Sequence, residues 1–269
     1  MDALPSGETL RSLFLTTASR FPEDAGVRWR TPDGRPFAIV HSERLARARV
    51  VAELEAAFGV NADAKVALFM PFVPAWLDLF LGTVSIGAVA VALPPSLSAD
   101  DAARILRETR ADLLFAGEGQ TAAARVIVTT LPGVRVVAMA DVPYPSAPHP
   151  PATLPNGIAD YRDLFSGAVD RAHVSGAAFD HGAPDPGTPA LVFGGRTSTH
   201  GQLVERGADL LPPTLVNARK GRTLPDIAAD SFAMEDLPSA IARTVAIPFL
   251  VGAKGGVPPC VAIQGPVAP

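Results

Sequence analysis

The sequence predicts an α/β fold, a mostly parallel sheet with helices on both faces, plus an incomplete second α/β lobe. Three observations predict it. Across residues 65–116, short wholly apolar runs alternate with segments whose apolar residues recur at helical spacing. Prolines and glycines punctuate the boundaries between them. The resulting order of strand, helix, strand, helix, strand, with short connections, implies parallel strands joined by right-handed crossovers.

Within that stretch, residues 66–70 form a continuous apolar run, the pattern of a strand covered on both faces, which Pro71 and Pro74 stop. Pro74 suits a first helical turn, and Trp76, Leu77, Phe80, Leu81 and Val84 follow at helical spacing up to Gly87, which suits a left-handed cap. Residues 88–93 are the second strand, ended by Pro94 and Pro95. Ser98, followed three residues later by Asp101, is a capping signal for a helix whose inward face is Ala102, Ile105 and Leu106. Residues 112–116 are the third strand.

Upstream, Leu10, Leu13, Phe14, Thr17 and Phe21 predict a helix closed at Phe21-Pro22. Two strands, 25–29 and 37–40, flank TPDGRP, whose Asp33-Gly34 is a hairpin signal. Ser42 is the expected N-cap of a helix carrying Leu45, Ala48, Ala52, Leu54 and Phe58, ended by Gly59. Arg44, Arg47 and Arg49 on this helix read as a solvated face in preference to an anion site.

Composition bounds the function. A chain of 269 residues with 48% hydrophobic and 19% charged residues can bury a core. A net charge of -4 argues against a general nucleic-acid or anionic-membrane surface. The single Cys260 excludes an intramolecular disulfide and a multi-cysteine metal site. No signal peptide is visible in MDALPSGETLRS, so a reducing, cytoplasmic setting is the default expectation. Residues 79–99 carry no charge, but Gly82, Gly87, Pro94 and Pro95 cut the window into pieces too short to span a bilayer. The expected organisation is a lobe at 1–142, a Pro/Gly-rich connector at 143–186 and a partial second lobe at 187–269. His149, His173 and His181 fall in the connector with no ligand motif beside them, so no metal site is expected.

Three segments carry a resemblance. VALFMPFVPAW, GAVAVALPP and ILRETRADLLFA match, in order, scaffold motifs of the AMP-binding, adenylate-forming superfamily, the acyl-CoA synthetases and their relatives. The resemblance covers roughly residues 8–140. It implies an N-terminal α/β lobe and a family chemistry that uses ATP, forms an acyl-AMP and loads CoA.

The same resemblance locates where that chemistry belongs. The family resembles D-x-A-x-x-x-Y-T-S-G-T-T-G-x-P-K-G-x-x-x-T-H-x-x-L there, a loop whose backbone N–H groups, hydroxyls and lysine converge on ATP phosphates. This chain keeps both flanks, TPALVF and Thr199-His200-Gly201-Gln202-Leu203, but only the five residues Gly194 to Ser198 lie between them. The family loop needs about thirteen, counted on its motif, so most of the phosphate cradle is missing. Gly194, Gly195, Arg196, Thr197, Ser198 and Thr199 remain as a candidate anion nest for residual ATP, AMP or CoA. The alternative is a tight strand-to-helix turn. No adenine motif or ribose-binding Gly-Asp pair is found, the chain stops before any lysine-bearing C-terminal domain, and AIPFLVGAKGG at 246–256 has Leu250 where the resemblance expects histidine.

Two further patterns point to other chemistry. Gly117, Gly119 and Ala122 spell G-x-G-x-x-A between a strand and a helix, and Asp141 ends the following strand, which is a dinucleotide-binding pattern and hence an oxidoreductase alternative. Glu118 would bring negative charge towards the phosphates. Ser198 and His200 lack a nucleophile elbow, and Cys260 lacks an activating base. The catalytic set is therefore unassigned. The expectation is a degenerate relative of the synthetases without adenylation, with a binding, assembly or regulatory role. Its alternative is a half-enzyme completed by a separate synthetase-like chain. Homo-oligomerisation is expected if the lobe exposes apolar surface.

Overall fold

The structure is a computed structural model that describes residues 7–30, 36–139, 154, 156–161, 163–165, 168, 177–180, 183–209, 227–229, 237–241, 250–251 and 261–264. Its elements run α1 (Leu10–Arg20), β1 (Ala25–Arg30), β2 (Pro36–Val40), α2 (His41–Ala57), β3 (Lys65–Phe69), α3 (Pro74–Ser85), β4 (Val89–Leu93), α4 (Ala99–Thr109) and β5 (Leu113–Gly117). A 3-10 turn (Glu118–Gln120) leads to α5 (Thr121–Thr130), β6 (Arg135–Met139), β7 (Ile158–Asp160) and the single turn α6 (Ala177–Asp180). Then follow β8 (Pro189–Phe193), β9 (Arg196–Thr199), α7 (His200–Asp209), β10 (Ile227–Ala229), α8 (Leu237–Ile241) and β11 (Val261–Gln264).

The chain divides into two compact units that are discontinuous in sequence: residues 1–47, 184–189 and 198–269 form one, and 48–183 with 190–197 the other. The second is built on a seven-stranded sheet of order β7-β6-β5-β3-β4-β8-β9. From β7 through β8 the pairings are parallel, with Val66 opposite Ala90 and Leu113, and Ala90 opposite Leu191. Wholly apolar runs form these strands because both faces are covered. On one face Ala67, Phe69, Val91, Leu93, Leu114 and Ala116 pack with Ala102 and Leu106 of α4 and Ala124 and Ile127 of α5. The alternate residues point the other way, and α3 packs on β3 and β4. Every residue of α3 is buried.

The punctuation works as expected. Pro74 opens α3, and Gly87 follows its end with φ 78°, a conformation that costs an L side chain strain. The Ser98 hydroxyl accepts from Asp101 N–H and donates to the Asp101 carboxylate, holding the start of α4.

The other unit carries a four-stranded sheet of order β10-β11-β1-β2, in which β1 is antiparallel to β2 and parallel to β11. Helix α1 ends at the Phe21 cap, as its pattern requires, and packs on α7. Helix α2 departs from expectation, because it begins at His41 and contains Ser42. The amide of His41 donates to Asp24 O and that of Ser42 to Pro22 O, so backbone carbonyls replace the side-chain cap.

No helix among the described residues is long and apolar enough to cross a membrane, and no cluster of potential metal ligands occurs among them. Val126 is an exposed large hydrophobic among the described residues. The Asp33-Gly34 turn, His149, His173, His181, Cys260, Asp141 and most of 246–256 lie outside the described residues.

Candidate functional site

The stretch 194–199 forms neither a loop nor a strand-to-helix turn. Gly194 and Gly195 have φ of 56° and 75°, the signature of a two-residue turn of the type that joins antiparallel strands, for which paired positive φ favours glycine. The turn connects β8 to β9, and β9 is the last strand of the seven-stranded sheet. The correction to the expected strand-to-helix turn is therefore an additional edge strand, Arg196–Thr199. Gly194, Gly195, Arg196 and Thr197 are exposed; Ser198 and Thr199 are half-buried.

Thr199 leads into α7, whose N-terminus would be the natural place for a phosphate. Its first amides already have acceptors within the protein. His200 N–H donates to Thr188 O at 3.0 Å and Gly201 N–H to Pro186 O at 2.8 Å. Gln202 N–H donates to Thr199 Oγ1 at 3.2 Å, and Thr199 N–H donates to Gln202 Oε1 at 2.9 Å. This reciprocal pair is a capping box. Thr199 is therefore a helix cap, with its hydroxyl and amide both engaged, and the helix start offers no open amide in this first turn.

His200 is fully buried, and neither ring nitrogen has a hydrogen-bond partner among the described residues. Burial pushes its imidazole down to about 4, so the ring is neutral at physiological pH.

The glycine pattern at 117–122 does fall where the topology invites a ligand. Chain connections leave β3 and β5, which are neighbours, in opposite directions along the sheet, and such switch points form crevices at the carboxyl ends of strands. Beside Gly117, protein side chains occupy it. A Cβ on Gly117 would lie 2.8 Å from Gln120 Oε1 and 2.9 Å from Met70 Cβ. Gln120, nearly buried, donates from Nε2 to Pro95 O at 3.1 Å. Gly117 is glycine because protein side chains approach it, whereas Gly119 has open space around it.

Sequence reasoning missed Gln120 and Gln202. Gln202 had a readable signal, since Thr199-x-x-Gln202 has capping-box spacing. The Gly194-Gly195 pair likewise carries a two-residue hairpin signal.

A mostly parallel sheet layered by α3 on one side and α4 and α5 on the other, continued through a hairpin into a helix, defines a layered α/β class of protein. Solved structures share this fold at low identity. The N-terminal domain of FACL13 from Mycobacterium tuberculosis superposes with TM-score 0.63 at 17% identity, over 97% of this chain and 58% of that one. Coronafacic acid ligase from Pectobacterium brasiliense gives 0.68 at 14%, over 97% and 46%. A Mycobacterium tuberculosis fatty acyl CoA synthetase gives 0.60 at 16%, over 97% and 45%. The chain thus spans about half the length of the solved chains it matches. No curated protein matches it in sequence. The family model described as AMP-binding enzyme matches residues 15–157, more than half of the sequence, and the chain belongs to that family.

Proposed function

We propose that this chain is an AMP-binding-family α/β protein that does not adenylate carboxylic acids and acts instead as a binding, assembly or regulatory partner. The observation that carries this reading is the Gly194-Gly195 turn. Where the family resemblance calls for a phosphate-gripping loop, two glycines close a hairpin, and the first amides of α7 donate to Pro186, Thr188 and Thr199. Removing one preorganised donor from a charge-stabilising site costs about 2.7–4 kcal/mol of transition-state stabilisation. Losing several donors and a lysine together puts adenylation below detection. The purified chain, incubated with ATP, labelled pyrophosphate and a panel of fatty and aryl acids, should show no pyrophosphate exchange. Exchange with any acid overturns the reading.

A second reading follows from length. Because the chain spans 46% of a coronafacic acid ligase and 58% of the N-terminal domain of FACL13, both of which share its fold, a separate synthetase-like chain supplying the remainder would make it half of an enzyme. ATP-dependent exchange appearing only when such a chain is added would favour this reading over the first.

A further inference from the structure

Glu55 lies on α2 with its side chain fully buried. Its Oε1 is 2.6 Å from Oγ1 of Thr83 on α3, and the same Oγ1 is 2.8 Å from the carbonyl oxygen of Leu79. A threonine hydroxyl has one proton and can make only one full-strength donation, the alternative being a weaker shared bond. The Leu79 carbonyl can only accept. Two contacts as short as these are both full hydrogen bonds when Glu55 carries a proton and donates to Thr83, and Thr83 donates onward to Leu79. The other carboxyl oxygen, Oε2, is buried with no hydrogen-bond partner among the described residues. An ionised carboxylate there would hold its charge on a single neutral contact, which an apolar interior penalises heavily.

Among the described residues no compensating cation reaches it. The titratable group on α3 is Asp78, itself buried and an acid. On β6, Arg135 donates to the carbonyl oxygen of Phe58 and covers the Phe58 ring. On α2, Arg49 lies over the Phe179 ring, and Glu53 accepts from the amide of Ala178. Asp63 and Lys65 follow beyond the helix, and no ion pair joins Glu55 to any described residue. The interface around the acid is tight, because Gly82, beside Thr83, packs on Val51 and the Ala48 carbonyl, one turn from Glu55.

We propose that Glu55 is a proton-held latch: as a neutral acid it ties α2 to α3 through Thr83, and loss of the proton loosens this helix pair, making the unit alkali-sensitive. Burial pushes the carboxyl up to about 8, while the Thr83 hydroxyl, when it donates, pulls the other way. Below the unfolded value of about 4.5 both states are protonated and the fold keeps its full stability. As pH rises from there to about 8, the unfolded chain loses the proton and the fold retains it, so this group lowers stability by up to about tenfold in the unfolding constant per pH unit. Beyond about 8 the fold itself must hold a buried charge, and the helix pair opens.

Infrared spectroscopy of the full chain tests this. At about pH 6.5, where exposed acids are ionised, a protonated-carboxyl stretch should be present, and it should vanish by about pH 9.5. Glu55→Gln keeps a donor to Thr83 without the charge, so it should lack the band. Its urea stability relative to wild type should rise between about pH 5 and 8 by at least a hundredfold in the unfolding constant. A wild-type protein with no such band at about pH 6.5 overturns the proposal even if the variant fails to fold. So does a stability difference between the two proteins that is flat across this range.

Discussion

A Cβ placed on Gly82 would lie 2.5 Å from Cγ1 of Val51, closer than side chains pack, and 2.9 Å from the Ala48 carbonyl oxygen. The crossing of α3 over α2 is therefore set by the absence of a side chain at one position. Two effects compete in Gly82→Ala. Helix propensity favours alanine by about 1 kcal/mol, whereas overpacking a closed interface costs about 1–3 kcal/mol. The backbone carbonyl cannot swing aside like a flexible side chain, so overpacking wins. The variant should unfold at lower urea with an unchanged m-value. A midpoint equal to or above wild type would show that the helices separate freely.

Gly117 and Gly119 should part company under the same substitution. Gly117→Ala meets Met70 and Gln120 and should lose about 1–3 kcal/mol in urea unfolding. Gly119→Ala meets nothing within 4 Å and should stay within about 0.5 kcal/mol of wild type. Calorimetric titration of the wild-type chain with NAD or NADP should give no binding. Measurable affinity, abolished by Gly119→Asp, would restore the dinucleotide reading of Gly117, Gly119 and Ala122.

The sheet core was legible in the sequence because its strands are continuous apolar runs and Pro71, Pro74, Gly87, Pro94 and Pro95 mark where each must stop. What escaped has particular causes. Strand β9 reads Arg-Thr-Ser-Thr and lies at the sheet edge, so it lacks the apolar signal by which a strand is recognised. The start of α2 escaped because its amides bond to carbonyls at residues 22 and 24, partners that no cap motif encodes. The pairing of β11 with β1 joins segments more than two hundred residues apart, and local pattern says nothing about partners. At the candidate site the short spacing between TPALVF and Thr199 was readable by length alone. The hairpin formed there, and the engagement of the first amides of α7, required the fold.

Thr199 should therefore act as a structural cap and not as a nucleotide ligand. Thr199→Val removes the hydroxyl that accepts from Gln202 N–H and keeps the shape, so it should cost about 1 kcal/mol of stability. Addition of ATP or AMP should leave the melting temperature of both proteins unchanged. A nucleotide-induced rise in wild type that Thr199→Val abolishes would instead make Thr199 a ligand-binding residue and revive the anion nest.

His200 sets the acid limit of the same helix. Its ring is neutral in the fold because burial pushes it down to about 4, against an unfolded value of 6.5. A group depressed in this way leaves stability intact above about 6.5 and removes it as pH falls towards about 4, the opposite slope to that of Glu55. His41, held down to about 3 by burial and by the Arg44 charge, adds to the loss in the same direction, so the wild-type curve alone does not isolate either ring. The difference between wild type and His200→Gln does. Between about pH 7 and pH 4.5 wild type should lose about 2 kcal/mol more than the variant, from the cost of protonating a buried imidazole. Glutamine leaves a buried polar group, which lowers the whole curve for the variant without tilting it. The tilt is therefore the diagnostic quantity, and parallel curves would mean that His200 is reached by solvent and titrates as it does in the unfolded chain.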